Sequence, residues 1–183
     1  TRNEMLGFKL QYSDMDIDYD DKLQVLGLLP LPVVQGDHIY HDLDSKLKLD
    51  IDGVDIAGNH YYIFGGKDND TIKGGAISDK LFGGTGNDTL IGNSGNDYLE
   101  GGQGFDTYHI ADRDTIFDSD GKGEIMFGGK TLPKDFILKQ GTSGIWEAKD
   151  SSGEVIYTAI KGANDLLITS KDAPADSVTL KDF

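Results

Sequence analysis

Between Gly65 and His109 a large apolar residue recurs every nine positions, at Ile72, Leu81, Leu90, Leu99 and Tyr108. Each is the middle residue of a three-residue segment such as Thr89-Leu90-Ile91. Side chains alternate across an extended strand, so the middle residue points to one face and its neighbours to the other. The pattern predicts short strands whose eighth-position residues fill a narrow core, with Thr71, Lys80, Thr89, Tyr98 and Thr107 outward. The segments between them are six residues long, rich in glycine and without apolar periodicity, and are read as turns. Outside this block, Phe8–Tyr12 and Lys46–Ile51 alternate as half-buried strands do. Glu124–Phe127, Ile145–Lys149, Val155–Ile160, Leu166–Thr169 and Val178–Leu180 also read as strands, and Asp150-Ser-Ser-Gly153 as a hairpin turn. The fold class is all-β.

The turns carry the chemistry. The five consecutive nonapeptides read GGKDNDTIK, GGAISDKLF, GGTGNDTLI, GNSGNDYLE and GGQGFDTYH, with glycine first and aspartate sixth in every one. Glycine permits positive φ, which lets the chain wrap and aim backbone carbonyls inward. Asp70, Asp79, Asp88, Asp97 and Asp106 add a hard, charged oxygen to each turn. Calcium takes six to eight oxygens at about 2.3–2.6 Å. One turn supplies too few; two stacked turns supply enough.

These units resemble the calcium-binding nonapeptide G-G-x-G-x-D-x-U-x of the RTX (repeats-in-toxin) family. The resemblance implies a parallel β-roll (β-helix) with β-rich capping regions, two units to a coil, and alternate units on the same edge. Asp70, Asp88 and Asp106 then share one ladder, and Asp79 and Asp97 the other. The implied ligands are these five carboxylates with the turns at Gly65, Lys67, Gly74, Gly83, Thr85, Gly86, Gly92, Ser94, Gly95, Gly101, Gln103 and Gly104. One ion between each stacked pair of turns gives roughly three to four Ca2+ ions. Such rolls usually lie near the C-terminus of large bacterial proteins exported by type I secretion. The expected setting is therefore extracellular, with the secretion apparatus a partner through a larger parent protein. The start at Thr1 and the strand-like end at Phe183 read as those of a fragment.

Departures from the pattern grade the turns. Gly86, Gly95 and Gly104 keep the fourth-position glycine; Asp68 and Ile77 replace it in the first two units, and Asn93 replaces the second-position glycine of the fourth. A β-branched residue suits that place poorly, so Asp79 ranks behind Asp70, Asp88, Asp97 and Asp106. The flanks read as worn copies. Ile56–Phe64 keeps Ile63 in phase, and Ile110–Asp118 keeps Phe117 in phase, with Asp112 or Asp114 completing a site below Asp97. The expected organisation is residues 1–55 as an N-terminal flank, 56–118 as the roll and 119–183 as a C-terminal cap. The stretch Asp118-Ser-Asp120-Gly-Lys-Gly has calcium-loop chemistry too, beside the plainer reading of an acidic turn.

Composition narrows the function classes. Seventeen basic residues against thirty-two acidic give a net charge of −15, which repels nucleic acid and anionic membranes and attracts cations. There is no cysteine, so metal would take the place of disulfides as a staple. The most apolar stretch, Leu23–Val34, is interrupted by Pro30 and Pro32 and is too short to be a transmembrane segment.

Other groupings lack a full ligand set. Asp14, Asp16, Asp18, Asp20 and Asp21 do not fit an EF-hand loop and read as a solvated acidic loop. His38 and His41 lack an identifiable third ligand, and His60 and His109 border the roll. Neither an H-E-x-x-H nor a G-x-S-x-G string is present, so no catalytic residue is assigned. The reading is a calcium-binding module whose folding is triggered outside the cell and which supports secretion of a larger toxin-like protein. The alternatives are an accessory domain of a secreted lipase or protease, and an adhesion module contacting a host cell surface through aromatics such as Tyr61, Tyr62 and Trp146.

Overall fold

The computed structural model describes residues 37–41, 50–51 and 60–182. The acidic run at Asp14–Asp21 and the strand expected at Phe8–Tyr12 lie outside the described residues, as do positions 46–49 of Lys46–Ile51.

Every described element is a strand. In chain order they are β1 (Asp37–His41), β2 (Asp50–Ile51), β3 (His60–Gly66), β4 (Thr71–Lys73), β5 (Lys80–Thr85), β6 (Thr89–Ile91), β7 (Tyr98–Gln103), β8 (Asp106–Ile110), β9 (Arg113–Phe117) and β10 (Gly123–Phe127). The C-terminal region adds β11 (Lys130–Thr131), β12 (Ile137–Leu138), β13 (Ile145–Lys149), β14 (Val155–Lys161), β15 (Asp165–Ser170) and β16 (Ser177–Lys181).

Odd and even strands of the repeat region separate into two sheets. One runs β1-β3-β5-β7-β9 and continues through β16-β15-β14-β13-β12; the other runs β11-β10-β8-β6-β4-β2. Pairing within the repeats is parallel at a spacing of two units: Ile72 lies beside Leu90 and Leu90 beside Tyr108, while Ile63 lies beside Leu81 and Leu81 beside Leu99. The molecule is thus a parallel β-roll, with one coil for every two nonapeptides.

Its core is a double file of side chains. Ile63, Leu81, Leu99 and Ile116 come from one sheet and Ile72, Leu90 and Tyr108 from the other, all essentially inaccessible to solvent. Each buried Leu or Ile contributes about 1.5–3 kcal/mol. Each strand gives one residue to the file, and Tyr61, Phe82 and Ile110 are buried alongside.

The worn copy after the fifth unit needs a correction. Ile116, not Phe117, pairs with Leu99 and enters the core. The step from Leu99 to Ile116 is one residue short of two nonapeptides, because the turn at Asp112 (φ +46) is shorter than a repeat turn. Upstream, Ile63 occupies the eighth position as expected, and Tyr61 is buried where the repeats place aspartate.

The C-terminal strands form an antiparallel meander joined to the roll through β16, which runs parallel to β9 with Leu180 beside Ile116. Its inner face, made by Ala148, Tyr157, Ala159, Leu166, Ile168 and Val178, continues the core. Phe127 meets Tyr157 edge-on at 5.6 Å between ring centres. The expected strands at 124–127, 145–149, 155–160, 166–169 and 178–180 all fall within observed ones. The hairpin at Asp150 forms because its Oδ1 accepts the Ser152 and Glu154 amides, both at 2.9 Å.

Candidate metal-binding turns

Each turn aims its sixth-position carboxylate inward. Asp70, Asp79, Asp88, Asp97 and Asp106 are all buried, the most exposed of them at 2%. Burial places them in a column with an exact chemical repeat. The amide of Asp70 donates to Oδ1 of Asp88 at 2.8 Å, and that of Asp88 to Oδ1 of Asp106 at 2.9 Å. On the opposite edge, Asp79 donates to Oδ1 of Asp97 at 2.7 Å and Asp97 to Oδ1 of Asp114 at 2.9 Å. Above Asp79, the Tyr61 amide donates to Asp79 Oδ1 at 2.7 Å. One carboxylate oxygen therefore does the work of a backbone carbonyl, holding consecutive coils in register.

The other oxygen is left for something else. Oδ2 of Asp88, Asp97 and Asp106 is buried without a hydrogen-bond partner. A buried carboxylate oxygen with no donor is costly, and a hard cation is one of the few groups that offsets it. The residues thus fit calcium: charged and neutral oxygens are present in stacked turns, and soft ligands are absent. Among the described residues no three His, Asp or Glu side chains converge as a ready-made metal cluster. Any ion held here would draw on two carboxylates at most, with backbone carbonyls of the turns completing the shell.

The glycines are dictated by this arrangement. A Cβ at Gly83 would stand 2.3 Å from Asp88 Oδ2, and one at Gly92 would stand 2.4 Å from Asp97 Oδ2. Gly65, Gly74 and Gly101 meet the same constraint. Gly86, Gly95 and Gly104 have φ of +137°, +123° and +136° and lie against the backbone of the preceding coil. The third-position residues take part through their backbones: the Gly86 amide donates to the Gln103 carbonyl at 2.9 Å, and Thr85 Oγ1 lies 3.4 Å from the Lys67 carbonyl. Ser94 sits in the corresponding turn of the other edge.

The second unit is different. Neither Gly75 nor Ile77 takes positive φ, and the Gly75 amide donates to Asp79 Oδ2 at 2.5 Å. The oxygen that Asp88 and Asp97 leave open is consumed here within the turn. Asn93, by contrast, takes φ +66° and donates through Nδ2 to the Gly74 carbonyl at 2.6 Å.

Asp112 and Asp114 both come to the Asp97 edge. Asp112 Oδ2 accepts the Gly95 amide at 2.8 Å, and Asp114 Oδ2 accepts the Ala111 amide at 3.0 Å. A second ladder escaped the sequence reading. Asn69 Oδ1 accepts the Asn87 amide at 2.7 Å, and Asn87 Oδ1 accepts the Phe105 amide at 2.8 Å. Its signal was the recurrence of asparagine at the fifth position. Asp68 was also passed over as a mere glycine substitute, yet its Oδ2 is buried and unpartnered. His60 bonds the Ser78 carbonyl through its ring, while His38 and His41 fall in β1 beside Tyr61 and Phe64.

Electrostatics follows from burial. Loss of hydration pushes the Asp88 carboxyl up to about 6, Asp114 to about 7 and Asp97 to about 8, and neighbouring aspartates push in the same direction. Asp106 is raised for the same first reason, with the charges of Asp118 and Asp120 adding to it.

A parallel roll with buried, stacked carboxylates at its turns defines a cation-binding β-solenoid. The family model for the RTX calcium-binding nonapeptide repeat matches in 4 copies, over residues 62–76 and 74–108. That stretch of the chain is therefore a block of RTX repeats, and a roll of this kind is a structural element rather than a catalytic one. No curated protein matches the chain. Among the described residues no helix is long and apolar enough to cross a membrane.

Proposed function

We propose that the roll, residues 56–118, forms a calcium-dependent folding module, compact outside the cell and unfolded at the low calcium of the bacterial cytosol, and that it supports type I export and stability of a larger secreted protein. The observation that carries this reading is the trio of buried, unpartnered Oδ2 atoms on Asp88, Asp97 and Asp106. Among the described residues no hydrogen-bond donor meets them. Bound calcium supplies the missing positive charge. Asp70, Asp88 and Asp106 hold one edge and Asp97 with Asp114 the other, and the Asp79 turn binds most weakly. Once the turns close, the file from Ile63 to Ile116 packs. Weak extracellular calcium modules bind at about 10⁻⁴–10⁻³ M, which suits such a switch. RTX repeat proteins are typically secreted by bacteria, which fits the setting.

The test is a calcium titration of the chain followed by far-UV circular dichroism, with magnesium and an Asp88→Ala/Asp106→Ala variant beside it. A cooperative gain of β signal, selective for calcium and weakened in the variant, supports the switch. The same spectrum in chelator and in millimolar calcium would sink it.

A further inference from the structure

The turn after β9 contains the same parts as a repeat turn with two of them exchanged. Asp106 pairs with Gly123 across β8 and β10. That offset of 17 residues sets the turn 118–122 against the turn 101–105, with Asp118 opposite Gly101, and Ser119 Oγ accordingly donates to the Gly102 carbonyl at 3.2 Å, also 17 residues away. In the repeats, glycine stands first and aspartate sixth. Here aspartate stands first, at Asp118, and glycine sixth, at Gly123.

The exchange is geometrically sensible. In all five repeat turns a Cβ on the first glycine would lie within 2.2–2.6 Å of Oδ2 of the sixth-position aspartate. The first and sixth positions therefore address one spot, and a carboxylate reaches it from either. At Gly123 the sixth position is closed to any side chain, because a Cβ there would stand 2.4 Å from the Asp106 carbonyl oxygen.

The neighbour that such a carboxylate would serve is Asp106. It is fully buried, at 0% exposure, and its Oδ2 has no hydrogen-bond partner. Tyr108, the one aromatic in the eighth-position series of the repeats, puts its hydroxyl beside both groups. It accepts the Gly101 amide at 3.1 Å and lines one cavity with Asp118. The amides of Asp120 and Gly121 donate to Asp118 Oδ1 at 3.2 and 3.0 Å, which fixes the carboxylate in place. Asp120 is the poorer second ligand, since its Oδ2 is already shared by Lys122 Nζ at 3.1 Å and the Gly104 amide at 3.2 Å.

We infer that Asp106 and Asp118 hold a further calcium ion at the end of the roll, in a site that the nonapeptide pattern does not encode. The family match stops at residue 108, ten residues short of Asp118. The site lets the first ladder end in a closed turn instead of a buried carboxylate oxygen without a partner. The inference rests on the reading of the repeats as calcium-binding, and the experiment separates the two.

Calcium binding is measured by isothermal titration on the whole chain, on Asp118→Asn, on Tyr108→Phe and on Asp88→Asn, with circular dichroism in parallel. The expected result is one ion fewer in Asp118→Asn with the calcium-induced β signal retained at its usual midpoint, against a repeat response shifted to higher calcium in Asp88→Asn. An unchanged number of ions and unchanged affinities in Asp118→Asn overturn the end site and leave the repeat reading intact. A wild-type chain that binds no calcium overturns both. If Asp118→Asn does not fold in calcium, Tyr108→Phe decides: it keeps the core ring and removes the hydroxyl, so a several-fold weakening of one class of site supports the proposal and an unchanged isotherm overturns it.

Discussion

The amide of Asp88 donates to the carboxylate of Asp106 at 2.9 Å, one full coil further along the roll. The same bond recurs from Asp70 to Asp88 and, on the other edge, from Asp79 to Asp97. In Asp88, Asp97 and Asp106 one carboxylate oxygen is thus a structural acceptor and the other is open to a cation, so the two roles can be separated by mutation.

Asp88→Ala removes both. It leaves the buried Asp70 amide without its acceptor, at a cost of about 1–3 kcal/mol, and it deletes a ligand. Asp88→Asn keeps a carbonyl oxygen for the amide and loses only charge. We expect both to raise the calcium concentration needed for folding, with Asp88→Ala alone also lowering the denaturation midpoint in saturating calcium. Equal loss in both assays for the two variants would contradict this division.

Calcium affinity should rise with pH. The carboxyls of Asp88, Asp114 and Asp97 are raised by burial to about 6, 7 and 8 from an ordinary value of 3.8. The folded chain therefore holds more protons than the unfolded one between these limits, and its stability in chelator falls as pH climbs through them. A cation must displace those protons. The calcium midpoint should drop between pH 6 and pH 8, and titrations in buffers of different ionisation heat should register proton release.

Two glycines at positive φ should differ sharply. Alanine at a positive φ costs about 1–2 kcal/mol by itself. Gly153 (φ +87°) has nothing within 4 Å of its would-be Cβ, so Gly153→Ala should show that cost alone. Gly86 (φ +137°) would push a Cβ to 2.1 Å from the Asp68 carbonyl oxygen, and the displaced group is backbone of the neighbouring coil. Gly86→Ala should therefore be the more damaging by thermal denaturation in calcium and should also weaken calcium binding.

Leu90 is fully buried between Ile72 and Tyr108. Leu90→Ala should cost about 2–5 kcal/mol. Because Leu90 joins Ile72 to Tyr108 within one of the two files of the core, we expect the calcium midpoint to rise and the transition to lose cooperativity. A variant that titrates like the wild type would show that the roll does not fold as one unit.

Much of this protein was written locally. The nine-residue period carries its own geometry: glycine where a side chain would strike a carboxylate, aspartate where the column needs an oxygen, Ile or Leu where the file passes. From those positions, and the resemblance they carry, followed the all-β class, the two-edge arrangement and the place of Ile63; the strands of the C-terminal meander were legible in apolar runs outside the repeats. Ile77 also set the Asp79 turn apart, and there the Gly75 amide donates to Asp79 Oδ2. What the tertiary structure decided lies where the period breaks. Skipping one residue at Asp112 put Ile116 into the core instead of Phe117, since β9 must keep register with β7 and the short turn absorbs the difference. The pairing of Asp106 with Gly123 placed Asp118 beside a repeat aspartate, a neighbour that no spacing rule identifies. Sequence fixes a contact when the same step recurs, because each coil then repeats the environment of the last. At the end of the stack there is no next repeat to copy, and packing against the following strands determines which oxygens meet.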